Sequence, residues 1–176
     1  IGGGEESYGF LAEDFCRDKD AVSAMSLLAE ICAFAKDQGK TLYDLLMGIY
    51  LEYGFSKEQT VNVVRPGKTG QDEIKQMMRD FRQNTPKVVL WKDYKTLEGK
   101  KADGTVDKLD MPDTSNVLQW FCEDGTKVSV RPSGTEPKIK FYVEVKGTMT
   151  EASQYAELDK KGAEKIAAIK KSLNLD

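Results

Sequence analysis

Hydrophobic positions follow two periods along this chain, and the change from one to the other marks its organisation. From Ala21 to Lys36, the residues Val22, Met25, Leu28, Ala29, Cys32 and Ala35 recur at intervals of three and four. That spacing is one face of a helix. Apolar residues spread over much of its circumference, which predicts a well-buried helix. Asp20 stands where a cap belongs, and Gly39 where the helix must end. Thr41 opens a second predicted helix with Leu42, Leu45, Leu46, Ile49 and Tyr50 on one face, and Gly54 lies just past its end. Such helix pairs close a layer of an α/β domain, so residues 1–54 read as the tail of one.

Residues 55–61 read as a hinge, and past them the period shortens to two. Val61 to Val64 is a short strand, broken by Pro66-Gly67. Thr69 can cap a helix whose apolar face is Ile74, Met77, Met78 and Phe81. Val88 to Trp91 is a strand, and Lys95 to Asp113 is polar loop with room for short strands. Val117 to Cys122 and Thr126 to Arg131 flank Asp124-Gly125, a two-residue hairpin turn. Ile139, Phe141, Val143 and Val145 then alternate with Lys138, Lys140, Tyr142 and Glu144. A last helix from Thr150 to Leu173 lines up Leu158, Ile166, Ile169 and Leu173. Helices on one face of an antiparallel sheet give an α+β domain, here residues 62–176.

Composition narrows the function more than the fold. The 176 residues are 40% hydrophobic and 31% charged, ordinary for a soluble globular protein. A net charge of −3 and a pI near 5.2 argue against a nucleic-acid surface and leave room for a local basic pocket. No apolar run approaches a membrane span, and no signal-peptide pattern opens the chain. The absence of histidine excludes Cys/His metal sites and histidine-based triads. Cys16, Cys32 and Cys122 are odd in number and lack zinc spacing. They read as reduced, mostly buried thiols of a cytoplasmic protein. The first residue is not Met, and the first residues already form a motif, so the chain reads as a fragment.

The candidate chemistry lies in two stretches. Arg131-Pro132-Ser133-Gly134-Thr135-Glu136-Pro137 separates two predicted strands. Pro132 fixes its own φ and pushes Arg131 toward an extended conformation. Gly134 admits a ligand close to the backbone, Ser133 and Thr135 supply hydroxyls, and Arg131 supplies a planar fork that matches a tetrahedral oxyanion. The loop therefore reads as a phosphate holder; the plainer reading is a hairpin turn with incidental polar residues. Near the start, Glu5 and Ser7 in a Gly-rich loop can accept hydrogen bonds from sugar hydroxyls. Arg17 and Lys19 follow in a polar run whose plainer reading is a solvated charge cluster. Lys19 is a candidate for contact with the substrate or for proton transfer, since with no histidine present a lysine whose pKa is lowered by its neighbours is the available acid/base.

The two stretches together resemble a known family. Arg-Pro-Ser-Gly-Thr-Glu-Pro-Lys, from Arg131, is similar to the phosphate-binding loop in the last domain of the α-D-phosphohexomutases, the phosphoglucomutase and phosphomannomutase family. Gly3-Gly4-Glu5-Glu6-Ser7-Tyr8-Gly9 resembles that family's sugar-binding loop, and the order of the two motifs agrees. The resemblance implies that this chain is the C-terminal part of such an enzyme: the end of the penultimate domain, then a last domain of TATA-binding-protein-like fold. It implies a full enzyme that interconverts hexose 1-phosphate and hexose 6-phosphate through a phosphoserine and a bisphosphorylated intermediate. Glu5 and Ser7 would grip the sugar ring. Arg131, Ser133, Gly134 and Thr135 would hold the phosphate that is not being transferred. Lys19 matches a family lysine that reaches the active site.

Many bacterial phosphomannomutases have Gly-His where this chain has Tyr8-Gly9, which favours glucose phosphates over mannose phosphates or dual specificity. Mg²⁺ and glucose 1,6-bisphosphate are the implied cofactors. The implied partners are a phosphosugar and the N-terminal domains of the same enzyme, with no nucleic acid and no membrane. The family's phosphoserine loop and its Asp-x-Asp-x-Asp metal loop are not in this sequence. The fragment alone is therefore expected to be inactive. The rival reading is a stand-alone α+β module that binds phosphate or a protein without catalysis.

Overall fold

The computed structural model describes residues 2–5, 8–84 and 86–175. The polypeptide divides into two compact units, Ile1–Gly54 with Met149–Ala152, and Phe55–Thr148 with Ser153–Asp176.

In the first unit, strands β1 (Gly2–Gly4) and β2 (Phe10–Ala12) pair antiparallel, with Gly3 opposite Leu11. The Gly-rich opening is thus a short hairpin ribbon rather than loop throughout. Helix α1 (Ala21–Asp37) is capped as expected: the Asp20 carboxylate accepts from the amides of Val22 and Ser23 at 3.0 and 2.7 Å. Helix α2 (Leu42–Tyr53) starts in a reciprocal box. The Asp44 amide donates to Thr41 Oγ1, and the Thr41 amide donates to Asp44 Oδ2 at 2.7 Å. Gly54 ends α2 at φ 91°, a conformation that favours glycine.

The expected burial of α1 is not found. Only Ala35 is buried along α1, while Val22 is 76% exposed and Met25 66%. An apolar circumference is buried only where a layer packs on it. Among the described residues, this unit offers α1 a second helix and a two-stranded ribbon, which cannot cover all sides. The cysteines also depart from expectation: Cys16 and Cys32 are exposed and Cys122 is half-buried.

The second unit is a seven-stranded antiparallel sheet in the order β3-β9-β8-β7-β4-β5-β6. Strand β3 runs from Phe55 to Val64 and pairs along its whole length with β9 (Lys138–Gly147). The segment 55–61, read from sequence as a hinge, is therefore strand. Backbone pairing with β9 outweighs the polar composition of Ser56 to Gln59. Strands β7 (Leu118–Phe121) and β8 (Lys127–Pro132) form the hairpin predicted around Asp124-Gly125, with Gly125 at φ 80°. The polar stretch after β4 (Leu90–Asp93) holds two short strands, β5 (Glu98–Lys101) and β6 (Val106–Lys108).

The alternation in β9 sorts its side chains as the period predicts. Ile139, Phe141, Val143 and Val145 are buried with Val61, Val63, Leu118, Trp120, Val128 and Val130. The same cluster takes in Ile74 and Met78 of α3 (Gly67–Gln83) and Ile166 of α4 (Tyr155–Ser172). Both helices therefore cover one face of the sheet, and the unit is α+β. Phe81 stands edge-on to Trp120 and Phe141, with ring centroids 5.4 and 5.8 Å away. Each such side chain contributes about 1.5–3 kcal/mol on burial. Helix α3 begins before Thr69, with Pro66 as its extended N-cap residue. A Cβ on Gly70 would lie 1.8 Å from the Arg65 carbonyl oxygen, so that first turn accepts only glycine. Buried Asp93 is matched by Arg82, whose Nε and Nη2 donate to its two oxygens at 2.6 and 3.1 Å.

Candidate functional site

The phosphate-loop candidate joins β8 to β9, two strands whose buried residues include Val128, Val130, Ile139, Val143 and Val145. Val130 and Ile139 are fully buried and flank the loop on either side. Alternation places the neighbouring Arg131 and Lys140 on the opposite, uncovered face. The two are direct cross-strand partners, and Asn62 of β3 is the next residue in the same row. Arg131 is exposed, and its guanidinium makes no hydrogen bond or ion pair with a described residue. Lys140 lies over the Tyr142 ring, 5.9 Å from its centroid.

The loop itself is held by its own backbone. The Ser133 amide donates to the Lys138 carbonyl at 2.8 Å, and the Arg65 amide donates to the Pro137 carbonyl at 2.9 Å. Ser133 Oγ accepts from the Thr135 and Glu136 amides at 3.4 and 3.2 Å. Both amides use the Ser133 hydroxyl oxygen as acceptor, which leaves its O–H as the donor of the group. The Thr135 amide is thus turned into the loop, whereas the Gly134 amide has no partner among the described residues. A Cβ at Gly134 would meet nothing within 4 Å, so the space beside this amide is open. Glu136 and Lys138 pair at 2.7 Å, which holds the Glu136 carboxyl below its usual range and leaves that carboxylate charge-matched within the loop. Lys140, which sequence reasoning did not single out, shares this face with Arg131. The signal was available: once Arg131 and Lys140 are set across the loop, period two puts both on one face.

The sugar-loop candidate is the turn between β1 and β2. The Glu5 amide donates to the Gly9 carbonyl at 2.9 Å, which closes the turn. Tyr8 is held at φ 70° and is largely exposed. Phe10 and Asp20 exchange backbone hydrogen bonds of 3.4 and 3.3 Å, bringing the polar run alongside the loop. Lys19 Nζ then lies 3.7 Å from Glu5 Oε1 and donates to Asp18 Oδ1 at 3.3 Å. Glu5 and Lys19 are thus brought together; Ser7 lies outside the described residues.

One expectation about Lys19 is reversed. Its neighbours raise its pKa rather than lower it: the hydrogen bond and charge of Asp18 act first, then the charge of Glu5. The ammonium therefore stays protonated through neutral pH, suited to holding an anion rather than accepting a proton. No group of three or more Cys, Asp or Glu residues placed to hold a metal ion occurs among the described residues.

Comparison with known proteins identifies the family. Residues 61–161 match the family model of the phosphoglucomutase/phosphomannomutase C-terminal domain, and residues 1–53 match that of its alpha/beta/alpha domain III. The chain belongs to the phosphoglucomutase/phosphomannomutase family. It is 40% identical over 146 residues to a phosphoglucomutase of Staphylococcus haemolyticus (strain JCSC1435), covering 79% of this chain and 26% of that protein. It is 41% identical over 149 residues to one of Staphylococcus aureus (strain MRSA252), covering 81% of this chain and 27% of that protein. The chain thus spans about a quarter of the length of these relatives, 26 to 27%. In fold it is similar to the open form of parafusin, a phosphoglucomutase from Paramecium, with a TM-score of 0.50 and 18% identity over 96% of this chain and 30% of that one. No helix among the described residues is long and apolar enough to cross a membrane.

Proposed function

We infer that this chain is the substrate-holding C-terminal part of a phosphohexomutase acting on glucose phosphates. Arg131, Lys140, the Gly134 amide and the hydroxyls of Ser133 and Thr135 hold the phosphate that is not being transferred. Glu5, Ser7 and Lys19 hold the sugar ring, with Lys19 contributing a fixed positive charge. The observation that carries the reading is the exposed Arg131 guanidinium, set by two sheet strands beside Lys140 and next to the Gly134 amide, which has open space beside it. Fixed donors of this kind stabilise charge by position, the main requirement of phosphoryl transfer. Residues 1–54 belong to the sugar-binding domain and residues 62–176 to the phosphate-binding domain.

The nucleophilic serine and the Mg²⁺ ligands belong to the remainder of the enzyme, and glucose 1,6-bisphosphate is its intermediate and activator. Free thiols support a reducing, cytoplasmic setting. Preference for glucose over mannose rests on the phosphoglucomutase relatives and on Tyr8-Gly9.

The test is a titration of this chain with inorganic phosphate, followed by amide NMR. Phosphate should shift Ser133, Gly134 and Thr135 in the wild type and not in Arg131→Ala. Equal shifts in both proteins would sink the assignment.

A further inference from the structure

We propose that Gly9 is a positioning residue: the space left by its missing side chain seats the stem of Lys19, which directs the ammonium to Glu5. Gly9 is buried. A Cβ built on it would lie 2.7 Å from Lys19 Cγ, 3.3 Å from Lys19 Cβ and 3.5 Å from Glu5 Oε2. Its backbone is not in the left-handed region, which is occupied instead by Tyr8 at φ 70° and Glu13 at φ 64°. Glycine is therefore needed at position 9 for room, not for conformation.

The clash has no easy relief. The two atoms nearest the added methyl are the root of the lysine side chain, not its mobile end. The backbones cannot drift apart either, because the residues next in sequence, Phe10 and Asp20, exchange two hydrogen bonds. The Gly9 carbonyl is also engaged by the Glu5 amide. A side chain at position 9 must therefore rotate Lys19 about its first torsions, which swings the ammonium away from Glu5 Oε1. This inference rests on the reading of Glu5 and Lys19 as sugar-loop groups only for its functional consequence; the contact itself needs no substrate.

The experiment is a double substitution read by NMR on this chain with labelled lysine side chains. With Gly9 in place, Glu5→Gln should displace the Lys19 Nζ resonance. In Gly9→Ala the same change should leave it where it was. An equal displacement in both backgrounds overturns the proposal. If Gly9→Ala alone loses the amide pattern of β1 and β2, adding Lys19→Ala, which removes the clashing Cγ, should restore it; continued loss overturns the proposal. In the full-length enzyme, Gly9→Ala should lower kcat/KM in the wild type and have no added effect on Lys19→Ala. An equal further loss there shows that Gly9 acts by another route. A phosphate titration that fails at Arg131 would refute the phosphate reading and leave this contact untouched.

Discussion

The two candidate loops use similar chemistry and are held in different ways. The phosphate loop hangs between a six-residue and a ten-residue strand inside a seven-stranded sheet. Arg131 is placed because its neighbours in the chain cannot move without opening the core. The sugar-loop candidate joins two three-residue strands and, among the described residues, is tied to the N-cap of α1 by the backbone bridge of Phe10 and Asp20. Lys19 is placed by local contacts with Asp18, Glu5 and Gly9. A cation can thus be aimed by a distant core or by its immediate neighbours, and the two arrangements should fail in different ways.

The largest effect should come from the core beneath the phosphate loop. Phe141→Ala removes a fully buried ring and should cost about 3–5 kcal/mol in a urea titration, and phosphate binding should fall with it. Leu28→Ala, at a position 43% exposed on α1, should cost under about 1 kcal/mol. Hydrogen exchange on this chain should likewise protect Val128, Val130, Phe141 and Val143 more than Leu27 or Leu46. Equal protection would erase the distinction between the two supports.

Next in size is Arg131 itself. A charge-assisted bidentate contact is worth ~3 kcal/mol or somewhat more, so Arg131→Ala in the full-length enzyme should lower kcat/KM by roughly a hundredfold or more. Arg131→Lys should recover only part, because the charge returns without the fork. Melting temperature should hardly move in either variant. A large drop in Tm would mean that the guanidinium supports the sheet rather than a ligand.

If the β1–β2 turn grips the sugar as proposed, Glu5→Gln in the full-length enzyme should act more mildly, roughly tenfold on kcat/KM, and on the substrates of both directions. If Glu5→Gln and Ser7→Ala both leave kcat/KM unchanged, the β1–β2 turn is only a connection.

The smallest effect concerns the β7–β8 hairpin behind the phosphate loop. Hydrogen bonds from Lys165 and Thr126 hold the Asp124 carboxyl down from 3.8 to about 2. A depressed folded pKa adds stability above the unfolded value, and that stability is lost as pH falls toward about 2. Asp124 is half exposed, so solvent screening limits the contribution to about 1 kcal/mol or less. Asp124→Asn should therefore lower the urea midpoint slightly at pH 7 and lose most of that difference by about pH 2. A difference that persists at low pH would assign the effect to the turn itself.

Much of this was legible in the order of residues, and the failures have definable causes. Period two in β9 identified its buried and open faces, and Asp20, Thr41, Gly54 and Asp124-Gly125 punctuated the chain where expected. Helix α1 misled because hydrophobicity reports what a surface can bury, not whether a partner is there to bury it. The segment 55–61 misled because pairing with a strand more than eighty residues away leaves no local trace. The Arg131 loop was visible as a motif, but its partner Lys140 depends on cross-strand register. The sign of the Lys19 shift was hidden because sequence neighbours such as Asp18 matter only through the direction their side chains take.

The hairpin of β5 and β6 offers an experimental handle. Residues 100–108 are exposed throughout, and Gly104 sits at φ 88° at the turn. The sheet order places β5 three strands from β8, or about 14 Å at ordinary strand spacing. A fluorophore or a short grafted epitope at this tip would therefore ride on the same rigid sheet as Arg131 without standing in its way. It would give an immobilisation point that leaves the Arg131 loop facing free solution.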